Sequence, residues 1–160
     1  MLAKYLENYE GLSRNSWFGV FLSFSQSLTS TVCFFLSIYF VNDLKINMET
    51  TGFIIGAFGL GKTIGGIIGG KLSDRFNLRK ILFFILIAQA ILYSTLAMVV
   101  LPALLCLNLF LIGLFVYAFI AANSAFVLNN CLNEKERQRT VSIMFSGYNL
   151  GAAISAVIIS

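Results

Sequence analysis

The chain has 160 residues, of which 58% are hydrophobic and 11% charged, and its net charge is +4. Its 11 basic and 7 acidic side chains cannot clothe a water-soluble domain of this size, whose charged share is typically about 25%. That excludes an ordinary soluble enzyme, a secreted disulfide scaffold and a disordered chain, and it points to lipid as the solvent.

The sequence has no histidine, which rules out a Ser-His triad, a His-ligated metal and a His proton relay. Cys33, Cys106 and Cys131 are widely separated. They fit neither a zinc spacing nor a disulfide framework and read as small hydrophobes. No cofactor is expected, and the chain does not read as an enzyme.

The first predicted element is a membrane span over 17–41, in the charge-free run between Arg14 and Asp43. About 20 mainly apolar residues suffice to cross the hydrocarbon. Ser23, Gln26, Ser27, Ser30 and Ser37, together with Phe34, fall within an arc of roughly 100° on it. Such a stripe suits either a cavity or a partner helix. The run is too long for a secretory signal and has no small-residue cleavage pattern behind it.

The second span, 51–70, is rich in glycine. Gly52, Gly56, Gly59, Gly66 and Gly70 recur at helical spacing, as do Gly61, Gly65 and Gly69. Both stripes are expected to let helices pack backbone to backbone. Lys62 lies on the side of Gly66 and Gly70 and is expected to face protein or a watery cavity. It is either a substrate or coupling charge or a lysine that reaches an interfacial or backbone partner. The segment from Gly56 to Thr63 also satisfies the Gly-x-x-x-x-Gly-Lys-Thr pattern of a nucleotide-binding P-loop. Residues 64–70 beyond it make a poor soluble helix, and no strand ending in aspartate comes after them, so nucleotide binding is the remote alternative.

The long uncharged run from Lys80 to Glu134 must fold back on itself. Pro102, the one proline in the chain, marks the turn. This gives a third span over 81–100, carrying Gln89, and a fourth over 104–128, carrying Tyr117, Asn123 and Ser124. A fifth spans 140–160 and carries Asn149. No carboxylate lies within a span, which leaves Lys62 as the titratable group available for coupling at depth.

Loop charges set an orientation. Lys4, Arg14, Lys71, Arg75, Arg79, Lys80, Lys135, Arg137 and Arg139 fall on one side, and Lys45 falls on the other. The positive-inside rule then places the N-terminus in the cytoplasm. The basic charge is an orientation signal. No aromatic-interleaved basic stripe suggests nucleic acid as a partner.

The segment from Gly69 to Lys80 reads Gly-Gly-Lys-Leu-Ser-Asp-Arg-Phe-Asn-Leu-Arg-Lys. It resembles the signature loop of the major facilitator superfamily, Gly-x-Leu-Ala-Asp-Arg-x-Gly-Arg-Arg/Lys. The matches are Gly70, Leu72, Asp74, Arg75, Arg79 and Lys80, in a tight turn between the second and third spans. Asn77 stands where glycine is usual, and asparagine tolerates a left-handed backbone. Asp74 is expected to accept hydrogen bonds from Arg75 or Arg79. The run from Asn133 to Arg139 resembles the family's second cytoplasmic loop, with Gln138 in place of a glycine. The segment from Gly147 to Ala153 resembles the antiporter helix motif Gly-x-x-x-Gly-Pro, with Ala152 in place of the proline. Leu109 occupies the position of an arginine associated with proton coupling.

The resemblance implies an all-α integral membrane bundle. Residues 1–160 would be a truncated N-terminal domain, five helices of a six-helix half. It implies a secondary transporter that moves a small organic solute by alternating access, nearest in look to the twelve-helix drug and metabolite antiporters and so suited to efflux. The signature loop would be a conformational switch that clasps the missing second half. Because the first and fourth helices line the family's cavity, Ser23, Gln26, Ser30, Tyr117 and Asn123 are candidate substrate residues, and Lys62 joins them as the ionisable residue within a span. The expected setting is the lipid bilayer of a bacterial inner membrane. A small multi-pass scaffold or regulatory protein is the alternative.

Overall fold

A computed structural model describes residues 12–159; Lys4, Ser160 and the side chain of Phe34 lie outside the described part. Among the described residues there are five helices: α1 (Arg14–Asn42), α2 (Met48–Arg75), α3 (Leu78–Leu96), α4 (Pro102–Asn130) and α5 (Glu134–Ile159). No strand occurs among the described residues. All five helices are long and apolar enough to cross a membrane.

The helices overrun most of the expected spans. α2 continues through Lys71, Asp74 and Arg75, so the signature segment is mostly helix and the chain turns only at Phe76 and Asn77. Asn77 is not left-handed. At φ −64° it caps α3, and its side chain accepts from the Arg79 N–H at 3.0 Å. Among the described non-glycine residues the left-handed one is Lys45, at φ 55°, in the turn between α1 and α2. α3 stops at Leu96, short of the expected 100. Proline disfavours the helical conformation in the residue before it. Here the break reaches back to Thr95, whose carbonyl accepts from both Met98 and Val99. Pro102 then opens α4, where its missing N–H costs nothing. Residues 56–63 lie inside α2 with their N–H groups in a helix, so no phosphate-cradling loop exists and the P-loop reading is set aside.

The chain divides into two compact units. Among the described residues, one takes in 12–31 and 123–159; the other runs from Val32 to Ala122.

In the Val32–Ala122 unit, Cys33, Leu36, Phe40, Ile54, Phe58, Leu96, Leu105, Leu109, Ile112 and Val116 form the apolar core. Beside it α2 lies directly on α4. A Cβ on Gly61 would overlap the Phe110 carbonyl, one on Gly65 the Leu114 carbonyl, and one on Gly69 the Ala118 backbone. The pairs advance together by four residues, so the two helices run parallel. Gly113 completes the crossing from the α4 side against Phe58. The other stripe does not pack as expected. Gly52, Gly56, Gly59, Gly66 and Gly70 have nothing within 4 Å of where a Cβ would sit. Apolar attraction between helices is weak in lipid, and small residues on both partners are what permit close approach. α4 offers Gly113 and Ala118 to one face of α2, and that face wins.

The other unit uses the same device. Gly147 and Gly151 of α5 lie on Val20, Phe24 and Ser27 of α1. Ser27 donates to the Tyr148 carbonyl, and Ser155 donates to the Leu28 carbonyl at 2.9 Å. These pairs also advance in step, so α1 and α5 run parallel here. α4 runs antiparallel to α1, with Asn123 beside Gly19 and Ser23, and Asn130 bonded to Asn15.

Candidate functional site

In the Val32–Ala122 unit, Lys62 and Tyr117 come together. The Lys62 Nζ lies 4.4 Å from the centre of the Phe58 ring and 5.3 Å from that of Tyr117. Phe58 precedes Lys62 by one turn on α2, while Tyr117 comes from α4. Each cation–π contact is worth about 0.5–2 kcal/mol. A lysine at the bilayer centre costs about 2.5–3.5 kcal/mol on insertion scales, so the rings offset much of that cost without neutralising the charge.

In the other unit, Ser23 meets Asn123, and Gln26 meets Ser30. Asn123, only 2% exposed, donates from Nδ2 to the Gly19 carbonyl at 3.0 Å and to Ser23 Oγ at 2.9 Å. Gln26 Nε2 donates to Ser30 Oγ at 3.2 Å, and Ser30 Oγ donates to the Gln26 carbonyl at 2.9 Å. With Ser27 on α5, these stripe residues of α1 are buried in helix contacts and hydrogen-bonded. Asn123→Ala is expected to lower stability by about 1 kcal/mol, in the range measured for interhelical hydrogen bonds in membranes. Thermal unfolding in detergent, with Ser124→Ala as a control, checks this.

The signature residues sit at the junction of α2 and α3. Gly70 and Leu72 are half-buried, and Asp74, Arg75, Arg79 and Lys80 are exposed. Ser73 Oγ bonds back to the Gly69 carbonyl at 2.7 Å. The expected bonds from Arg75 or Arg79 to Asp74 do not form. Asp74 and Arg75 are successive residues of one helix and point apart, and Arg79 lies beyond the break. Asp74 stands in the last turn of α2, while Arg79 and Lys80 stand in the first turn of α3. Each opposes its helix dipole, an adverse effect of about 0.3–1 kcal/mol apiece. Helix stability therefore does not explain these three charges.

Sequence reasoning places Glu136 only in a loop. It is 5% exposed and ties three segments together. Its Oε2 accepts from the Leu132 N–H at 2.7 Å, and its Oε1 accepts from the Ser13 N–H at 2.8 Å and Ser16 Oγ at 3.1 Å. Asn133 Oδ1 in turn accepts from the Glu136 N–H at 2.8 Å. Glu136 lies before the apolar stretch of α5 that begins at Thr140. The hydrogen bonds from the Leu132 and Ser13 backbones hold its carboxyl below the usual range, against the opposing effect of burial. The N-termini of α1 and α5 both favour a negative charge there. The Asn-x-x-Glu spacing of a capping box was the available signal.

A family model described as the Major Facilitator Superfamily matches residues 17–160. The chain belongs to the major facilitator superfamily. It is thus a transporter of that superfamily and a multi-pass membrane protein. No curated protein and no solved structure matches it. Two departures from the superfamily pattern now have a structural setting. Leu109, at the coupling-arginine position, is fully buried in the apolar core, where an arginine would be badly placed. Ala152, at the proline position, lets α5 continue unbroken from Glu134 to Ile159.

Proposed function

We propose that this superfamily member is a secondary transporter moving a small organic solute by alternating access, in the direction of efflux. On this reading it lies in a bacterial inner membrane with its N-terminus in the cytoplasm. Residues 1–160 supply helices of the N-terminal half, and an opposing half completes the cavity. The observation that carries the reading is the family match over the whole helical region. The exposed Asp74 and Lys80 at the α2–α3 junction support it, because each is placed against its helix dipole and suits a partner that comes and goes. On the same reading Lys62 and Tyr117 are the leading solute contacts. Ser23, Gln26, Ser30 and Asn123 could take part only by exchanging the bonds they already make.

Asp74→Asn is the test. In the intact transporter it is expected to slow solute flux at least tenfold, roughly 1.4 kcal/mol on the transport barrier, while membrane insertion is unchanged. Dye extrusion from cells and from everted vesicles measures the flux. Wild-type flux in the variant would leave the junction with a topological role alone.

A further inference from the structure

We infer that the groove between α2 and α4 that opens at Glu49 binds a phospholipid whose headgroup carries a primary ammonium. This needs only the membrane-spanning helices and goes beyond the transport reading.

Shape is the first argument. Within the Val32–Ala122 unit, Glu49, Gly52, Phe53, Gly56 and Leu60 of α2 and Cys106 of α4 line an open groove of about 620 Å³. Its floor is bare, because Gly52 and Gly56 lie one turn apart and have nothing within 4 Å of where a Cβ would sit. Phe53 and Leu60, both exposed, give it apolar walls. From Glu49 to Leu60 the axis of α2 advances about 16 Å, at about 1.5 Å per residue. That matches one leaflet of a hydrocarbon core about 30 Å thick. The groove therefore starts at headgroup level and ends near the bilayer centre, which is the reach of a single acyl chain. A chain laid in a cleft touches atoms on several sides, and so gains dispersion contacts that a flat helix face does not offer.

Charge is the second argument. Glu49 is exposed at the mouth and makes no ion pair among the described residues. Capping of α2 falls to Asn47, whose side chain accepts from the Thr50 N–H at 2.7 Å. The rest of the lining carries no charge. The turn between α1 and α2 adds Asp43 and Lys45, so acids outnumber bases at this end of the unit. A primary ammonium at this depth can donate charge-assisted hydrogen bonds to the Glu49 carboxylate. A quaternary ammonium has no N–H to donate, and an anionic headgroup meets like charge.

The experiment places the chain in phosphatidylcholine nanodiscs with a trace of phosphatidylethanolamine carrying a photoreactive acyl chain. The phosphatidylglycerol analogue with the same chain is run beside it. Mass spectrometry of the cross-linked peptides reads the labelled positions. The ethanolamine lipid is expected to label residues 52–60 and Cys106 at least threefold more than the glycerol lipid, the scale of a favourable ion pair near a surface. Glu49→Gln should bring the two analogues level. Gly56→Leu, which fills the groove without meeting another helix, should abolish the labelling by both. Gly66→Leu, on the same open face but beyond the groove, should leave it unchanged. Equal labelling by the two analogues in the wild-type chain, a preference that survives Glu49→Gln, or a groove labelled no more than the outer face of α3 would overturn the site. Cross-linking of one chain to another through the groove would also overturn it, by giving the groove to a second copy. None of these results touches the transport reading, whose own test is the flux of Asp74→Asn.

Discussion

Gly65→Val is expected to be among the most damaging single substitutions in the chain, costing about 3 kcal/mol. A Cβ at this position runs into the Leu114 backbone, which has no rotamer to yield. The neighbouring contacts of Gly61 and Gly69 share the same crossing, so α2 cannot tilt away at one point without losing the others. In lipid no general apolar attraction restores the contact once the helices part. The thermal midpoint in detergent should fall by roughly 10 °C, and the yield of monodisperse protein should fall with it. Gly66→Ala is the control. It lies one residue along, on a face with nothing within 4 Å, and should change stability by no more than about 0.5 kcal/mol. Similar damage from both would show that glycine matters along α2 for some reason other than contact with α4.

That pair of residues also marks how far the sequence can be read. Five spans are legible from where charges are missing, because crossing oil is a one-dimensional requirement on the chain. The two glycine stripes of α2 are equally regular, and spacing alone cannot choose between them. The choice belongs to α4, through Gly113 and Ala118, which lie some fifty positions away. The helix ends escape the sequence for a related reason. Charges at Lys71, Asp74 and Arg75 mark the edge of the apolar segment, but a helix continues past that edge until something stops it. Here α2 ends at Phe76, whose backbone is extended, and Asn77 then caps the start of α3. Of the candidate site, Lys62 was legible because an ionisable residue in a span stands out. Tyr117 was legible as a polar aromatic in the fourth span, but its pairing with Lys62 required the α2–α4 register, and the Phe58 contact was not foreseen.

Glu136 carries the second large effect. Glu136→Ala leaves two backbone N–H groups, of Ser13 and Leu132, and the Ser16 hydroxyl without their acceptor, and should cost about 3 kcal/mol. Glu136→Gln is gentler, at about 2 kcal/mol, because one amide oxygen survives while the NH2 faces a donor. The pH dependence separates charge from shape. The carboxyl is held below its ordinary value of about 4.3, so the folded state binds its proton less readily than the unfolded state does. Its contribution is therefore fully present above about pH 4.3 and is lost as the pH falls through the depressed folded value. Wild type and Glu136→Gln should differ most at neutral pH and converge on acidification. Hydrogen exchange should report the same loss locally, as faster exchange at the Ser13 and Leu132 amides. A difference in stability that stays constant down to low pH would assign Glu136 a packing role and remove the charge from the account.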